Sequence, residues 1–365
     1  MVLFVVVVAL GLLIYSSSEL AGGHQKVTDD GPVEEKGTDA GPVENVKDAN
    51  PVENVGGEMA FEAAGDIWIM NADGSKPMRI TQDQDPPMED TPTFSPDGEK
   101  VAFVQEIVVK TWDKALHKKV ESTAGQRVVV MDVDSRNQVK LPVPEVPSDE
   151  YPSVREPSWT PDGRRIAFMA YSQPSYMSGC DQHVFITNAD GSGTPRRFPI
   201  PGLSGCPSRT PIWSPDGSQI AFEASGKDSW PEIYVMDVSP EGATGRPWLL
   251  TPDYLQQAGG PSWSPDSTEI AFSGNRSGYH APGKGYTAIF KIDVNSLEET
   301  RLTKGSFEDG YDTSPTWSPD GEKIAYVREA TETSSIYVVD SAGSTPTLIR
   351  KFPPNTLSPD WRPLP

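Results

Sequence analysis

Residues Pro211–Phe222 read Pro-Ile-Trp-Ser-Pro-Asp-Gly-Ser-Gln-Ile-Ala-Phe. The middle of that stretch is a turn. Proline presets φ at about −65° for the first corner, aspartate bonds back to the backbone, and glycine accepts positive φ where the chain reverses. Ser-Pro-Asp-Gly is therefore a hairpin connection, with Trp213 on the strand before it and Ile220-Ala-Phe222 on the strand after it. That second strand is apolar on both alternating faces, which implies cover from both sides.

The same phrase recurs along the chain. Other full copies begin at Pro92, Pro157, Pro261 and Pro315, and a clipped copy lies at Ser358–Pro363. Each full copy runs on into a short apolar segment, as at Val101–Phe103, Ile166–Phe168, Ile270–Phe272 and Ile324–Tyr326. Regular self-similarity at a period of roughly 45–65 residues marks a repeat array. A second signal follows in every unit: an apolar run ending in Asn or Asp, first seen as Asp66-Ile-Trp-Ile-Met-Asn71. Its relatives end at Asp132, Asn188, Asp237, Asp293 and Asp340. A short fourth strand comes next, as in Arg79-Ile-Thr81, Trp248–Thr251 and Arg301-Leu-Thr303. Four strands per unit make a propeller blade.

Six third strands but only five complete entry phrases leave the first unit, Met59–Thr81, without its opening strand. The clipped copy supplies a strand with no unit after it. The two halves complete each other, so the sequence predicts an all-β, six-bladed β-propeller over residues 58–365, closed by a C-terminal strand in the first blade and leaving no open edge.

Ahead of the propeller, the reading gives residues 1–22 as a signal peptide or membrane anchor and 23–57 as a disordered acidic, Pro-rich linker. Val2–Tyr15 is wholly apolar, which suits an export signal core or a short anchor, and Ser16-Ser17-Ser18 offers small residues for cleavage. Three rough decads then repeat Pro-Val-Glu at 32–34, 42–44 and 51–53. Fixed proline backbones and mutually repelling carboxylates read as an extended tether. These features predict an exported protein in an extracytoplasmic space, touching a membrane only through its N-terminal segment; the periplasm is what the resemblance described next implies. The formal charge of −21, without a basic stripe, argues against nucleic acid and anionic lipid surfaces as partners.

The repeat Pro-x-Trp-Ser-Pro-Asp-Gly-x-x-Ile-Ala-Phe, followed by Ile-Tyr-Val-Met-Asp, resembles the WD40-like PD40 repeat of TolB-type six-bladed propellers. The resemblance covers residues 58–365. It implies protein binding in the bacterial cell envelope more than any chemistry. Related propellers precede serine-peptidase domains or form pectate-degrading lyases. This sequence shows no G-x-S-x-G elbow. It has four histidines in all, at 24, 117, 183 and 280, where the lyases rely on a His-rich metal site. An acidic tether stands where TolB has its extra α/β domain.

The repeated residues themselves are structural. Asp97, Asp162, Asp216, Asp266 and Asp320 are explained by their turns, and Trp159, Trp213, Trp263 and Trp317 by packing between blades. Function on a repeat scaffold sits in what departs from the repeat. The long connections Gln105–Gln126, Tyr171–Gln182 and Gly274–Thr287, with crossovers Gln82–Thr91, Pro142–Glu156 and Lys304–Thr313, all fall on one face. They bring aromatics and acids there: Trp112, Tyr151, Tyr171, Tyr176, Tyr254, Tyr279, Tyr286, Phe307 and Tyr311, with Asp149, Glu150, Asp309 and Asp312. These are the candidate binding residues. Cys180 and Cys206 lie on the same face, and the sequence predicts a disulfide that pins its loops. No catalytic residue, metal site or cofactor is predicted. The leading reading is a non-enzymatic, monomeric envelope propeller that binds a protein or peptide through its loop-rich face. The alternative is a carbohydrate-binding or polysaccharide-lyase-like propeller, with rim tyrosines stacking on sugars.

Overall fold

The computed structural model describes residues 56–81, 88–113, 117–145, 152–171, 182–202, 207–225, 230–239, 242–252, 254–276, 287–305, 310–354 and 357–364. Among them are strands and turns and no helix.

Antiparallel sheets follow one another along the chain. The first run contributes β1 (Glu58–Ala63), β2 (Asp66–Asn71) and β3 (Met78–Arg79). Blade 2 comprises β4 (Glu89–Phe94), β5 (Lys100–Asp113), β6 (Lys118–Asp132) and β7 (Gln138–Lys140). Blade 3 comprises β8 (Ser153–Trp159), β9 (Arg165–Tyr171), β10 (His183–Asn188) and β11 (Arg196–Arg197). In blade 4, β12 (Pro207–Trp213), β13 (Gln219–Ser225) and β14 (Pro231–Ser239) precede two short partners of β14, namely β15 (Gly242–Ala243) and β16 (Trp248–Leu249). Blade 5 has β17 (Leu255–Trp263), β18 (Glu269–Arg276), β19 (Ala288–Asp293) and β20 (Glu299–Arg301). Blade 6 has β21 (Tyr311–Trp317), β22 (Lys323–Glu329), β23 (Ser334–Asp340) and β24 (Thr347–Phe352). The last strand, β25 (Leu357–Trp361), pairs with β1, giving blade 1 the order β25-β1-β2-β3. The ring has six blades and is shut by the two ends of the folded chain.

The hydrophobic core is divided accordingly. Six buried clusters each join two neighbouring blades, including Met59, Phe61, Ile336, Ile349 and Trp361 at the seam between blades 6 and 1. This explains why Ile-Ala-Phe is apolar on alternate faces: each face meets a different neighbour. The repeated tryptophans pack across these seams and reach further. Trp159, Trp263 and Trp317 donate their ring N–H to the inner-strand carbonyls of Thr93, Ile212 and Ser262 in the preceding blade. The repeated aspartates stay in their turns. Asp216 and Asp266 accept the hydroxyls of Ser214 and Ser264 at 2.6 Å, and also the backbone N–H two residues on. The Ser95 and Ser264 hydroxyls hold Asp97 and Asp266 below the usual carboxylate range. The threonine that ends a blade has a job as well. Thr81, Thr251 and Thr303 each accept a third-strand backbone N–H, from Ile67, Ile233 and Ile289.

The clipped terminal copy aligns one step differently from its lettering. Trp361 sits opposite Met59, as Trp213 sits opposite Ile220. Pro359-Asp360-Trp361 therefore occupies the Pro-x-Trp places of the repeat, and Met59-Ala-Phe61 is the blade's Ile-Ala-Phe. Where the sequence suggests a long connection at Gln105–Gln126, the chain stays in strand. β5 and β6 remain paired out to Asp113 opposite Lys118.

Candidate functional site

The first strand of each blade lines the axis of the ring, and all six carry the same bulge. The residue before the repeat's proline has positive φ in every blade: Thr91, Glu156, Thr210, Gly260, Ser314 and Ser358, between 50° and 61° in all but Thr91, at 49°. In β4, β8, β12, β17 and β21 the register with the second strand slips at this point. A left-handed residue with an extra unpaired backbone unit bends the strand. Repeated in every blade, it forms a collar around a central cavity of about 440 Å³.

Hydroxyls and three carboxyl groups, from Glu156, Glu223 and Asp360, line that cavity, and no Lys or Arg stands among the described lining residues. Glu223 accepts the Thr210 hydroxyl at 2.9 Å and the Gly260 N–H at 2.8 Å. Its carboxylate lies so close to the next inner strand that a Cβ on Gly259 would meet Oε1 at 3.0 Å, which accounts for a glycine there. Glu156 accepts the Thr210 backbone N–H. Asp360 occupies the place held by Ser158, Ser262 and Thr316 in other blades. It accepts the Phe94 N–H at 2.7 Å and the Thr316 hydroxyl at 3.5 Å. Burial pushes its carboxyl up to about 6, against the hydrogen bonds that favour the charged form. Burial also raises Asp90 and Glu329, beside the collar.

Strand direction defines two faces. The Ser-Pro-Asp-Gly turns lie on one, the turn face. On the other, the loop face, second strands pass to third strands and one blade passes to the next. Four large aromatics are well exposed among the described residues: Trp112 at 59%, Trp230 at 41%, Tyr254 at 46% and Tyr311 at 48%. All four stand at loop-face ends of strands: β5, β14, β17 and β21. Trp230 escapes the sequence reading because its connection, 226–230, is short. Being an aromatic between a second and a third strand was its only mark.

Two other candidate residues are turned inward. Tyr171 is 9% exposed, with the Arg155 guanidinium 5.9 Å from its ring centre. Asp312 is fully buried and held by Arg328, whose Nε and Nη2 donate to the carboxylate at 2.6 and 3.0 Å. Arg328 in turn lies 4.7 Å from the Tyr337 ring centre. Tyr254 donates its hydroxyl to Glu299 at 2.9 Å. Tyr151, Tyr176, Tyr279, Tyr286, Phe307, Asp149, Glu150, Asp309, His280, Cys180 and Cys206 lie outside the described residues. His117 is exposed beside the tip of the β5–β6 hairpin, and His183 opens β10 opposite Ala170. Among the described residues no group of three His, Cys, Asp or Glu side chains is placed to hold a metal. No described helix is long and apolar enough to cross a membrane.

A closed ring of blades around a central cavity with three carboxyl groups, and exposed aromatics at loop-face strand ends, defines a propeller-type binding scaffold. The PD40 family, the TolB β-propeller domain, matches residues 115–308. That is more than half of the chain, and the chain belongs to this family. Its fold is similar to TolB from Acinetobacter baumannii, at 18% identity and TM-score 0.62, over 84% of this chain and 67% of that one. A putative TolB from Agrobacterium tumefaciens matches at 18% identity and TM-score 0.58, over 84% and 99%. A chain of a nidogen–laminin complex matches at 12% identity and TM-score 0.58, over 84% and 98%, which extends the likeness of fold alone. A search of curated protein sequences returned no match.

Proposed function

We propose that this protein is a non-enzymatic cell-envelope propeller that binds a protein or peptide partner through its loop face. One observation carries the reading: every well-exposed aromatic among the described residues stands at a loop-face end of a strand, and no described basic side chain lines the central cavity. Exposed Trp and Tyr are the residue types that anchor protein interfaces, because they bury much area at low entropic cost. The carboxyl groups inside favour a partner group that donates hydrogen bonds or carries positive charge. Membership of the TolB propeller family supports an extracytoplasmic setting.

Photo-crosslinking tests this face by face. A photoreactive residue at position 230, 254 or 311 is expected to capture a defined envelope partner. One at Val139 or Leu297, also exposed but not at the loop-face mouth, is expected to capture none. Equal capture from both sets of positions would overturn the reading.

A further inference from the structure

Blade 3 gathers two arginine pairs, Arg164-Arg165 and Arg196-Arg197, that lie far apart in sequence. β9 starts at Arg165, β10 ends at Asn188 and β11 starts at Arg196, and all three of these ends are on the turn face. Arg165 stands opposite Asn188, and Arg196 opposite Ile186. Residues opposite each other, or two apart along one strand, share a side of the sheet. Arg165, Asn188 and Arg196 therefore share the side of Ile186, which packs with Trp213 and Ile220 of blade 4. Arg197 stands opposite Phe185, on the side that packs against blade 2.

Two clefts flank this corner, and they differ in charge. The cleft toward blade 2, of about 680 Å³, has both signs, with Lys100 and Arg164 beside Asp132 and Asp190. Lys100 already pairs with Asp132 there at 3.1 Å. The cleft on the blade 4 side, of about 300 Å³, is lined by Arg165, Ile186, Thr187, Asn188, Thr194 and Arg196, with no described acid among them. Arg165 has a contact of its own and adds its charge to the wall. Arg196 is exposed and has no partner among the described residues. Neighbouring acids are committed to their own turns. Asp162 accepts the Thr160 hydroxyl and the Arg164 N–H, and Asp190 accepts the Ser192 N–H. In blade 4, Asp216 is held by Ser214 and Ser218, and Asp237 accepts a hydrogen bond from Gln219. Across blade 3, five described arginines stand against Glu156, Asp162 and Asp190, a positive balance in a chain of formal charge −21.

We propose that the blade 4 side of this corner is a binding site for a single phosphate group. A guanidinium offers phosphate two parallel N–H donors. Arg165 and Arg196 start about 12 Å apart across β10, so their long side chains approach one ion from two sides. Asn188 donates one amide N–H to Ser192 at 3.0 Å and keeps a second, and the Thr194 hydroxyl is exposed at the same edge. Donors arriving from three strands suit the tetrahedral oxygens of phosphate better than the coplanar pair of a carboxylate. The site is on the turn face, so it goes beyond the loop-face reading and does not depend on it.

The test is isothermal titration calorimetry of the full chain with inorganic phosphate at fixed ionic strength. Phosphate is expected to bind, and acetate to bind more weakly. Arg196→Gln is expected to weaken phosphate binding about tenfold, the loss of one charge-assisted hydrogen bond. Arg197→Gln removes the same charge from the next residue, on the other side of the sheet, and is expected to leave the affinity within about twofold. Both positions are exposed, and equal melting temperatures without phosphate check that the fold is kept. No binding at millimolar phosphate, acetate binding as well as phosphate, or equal losses from the two variants would overturn the proposal. Sedimentation with phosphatidylcholine vesicles containing a quarter phosphatidylglycerol separates the sources. Pelleting that Arg196→Gln abolishes and Arg197→Gln does not assigns the phosphate to a lipid; phosphate binding without pelleting assigns it to a soluble ligand, and either result keeps the site. Crosslinking at positions 230, 254 and 311 reports on the other face, so failure of one reading leaves the other standing.

Discussion

Blade 4 and blade 1 are built from the same parts in different ways. Blade 4 comes from one continuous run, Pro207–Leu249, and its inner strand is joined to the next by a covalent turn. Blade 1 takes three strands from Glu58–Arg79 and its inner strand from Leu357–Trp361, with no turn between them. In place of that turn the seam has polar ties. Arg362 donates its backbone N–H to the Glu58 carbonyl and its Nε to the Gly98 carbonyl, both at 2.8 Å, and its guanidinium pairs with the Glu58 carboxylate. Arg350 reaches from blade 6 to the Gly74 carbonyl at 2.9 Å. Asp360 binds the inner strand of blade 2. Both blades also place a carboxyl group in the channel, but Glu223 comes from a second strand and Asp360 from the closing one. The shared residues thus show how a blade is made, and the unshared ones show where the molecule is closed and where it is charged.

Removing the closing strand is the most severe way to break this comparison. Deleting residues 357–365 unseats Trp361 and opens the β1 edge. The expected loss exceeds the roughly 3–5 kcal/mol that truncation of one core Trp costs. Calorimetry checks it, and a melting temperature equal to that of the full chain would show that blade 1 needs no inner strand.

The Asp312–Arg328 pair of blade 6 comes next. Arg328→Met leaves a buried carboxylate without its partner and is expected to destabilise by about 3–5 kcal/mol. Replacing both, as Asp312→Leu with Arg328→Met, is expected to restore most of that loss. Denaturant unfolding of the two variants separates a structural pair from a binding group on the rim.

Asp360 sharpens the comparison through pH. Its carboxyl is raised to about 6 from an ordinary 3.8. Below both values the folded and unfolded chains are equally protonated at this site. As pH rises between them the unfolded chain gives up its proton first, so stability falls, by about 3 kcal/mol in all. Above about 6 the loss is constant. Asp360→Asn is expected to remove this slope, while Glu223→Gln keeps it; melting temperatures from pH 4 to 7 decide. The smallest effect is expected at a consensus position: Thr303→Val leaves the Ile289 N–H without an acceptor, at about 1–2 kcal/mol by chemical denaturation.

Most of the architecture was readable because each local signal has a local cause. Ser-Pro-Asp-Gly turns the chain, Ile-Ala-Phe fills two seams, and Leu-Thr ends a blade by capping a backbone N–H. The closing strand was readable from arithmetic on incomplete units, although matching Ser358-Pro-Asp by its letters hid that Trp361 is the repeat's tryptophan. The collar was not readable. A residue before proline is locally biased toward extended backbone, yet Thr91, Glu156, Thr210, Ser314 and Ser358 are left-handed because the bulge must turn the inner strand around the axis. Asp312 stands among rim acids in the sequence, and its partner is sixteen residues away. Only the β21–β22 register, which sets Asp312 opposite Arg328, brings the two together. Trp112 was legible as an unusual residue in a long insertion. That the insertion is a paired ribbon depends on a register that spacing alone does not reveal.

The hydrogen bond from Arg362 to Glu58 also sets an orientation. The described chain enters the ring and leaves it side by side on the turn face. A group joined directly at Glu58 or Arg362, such as a fluorophore or an affinity handle, is therefore held on the turn face. The exposed aromatics Trp230, Tyr254 and Tyr311 stand at the opposite ends of their strands, away from such an attachment.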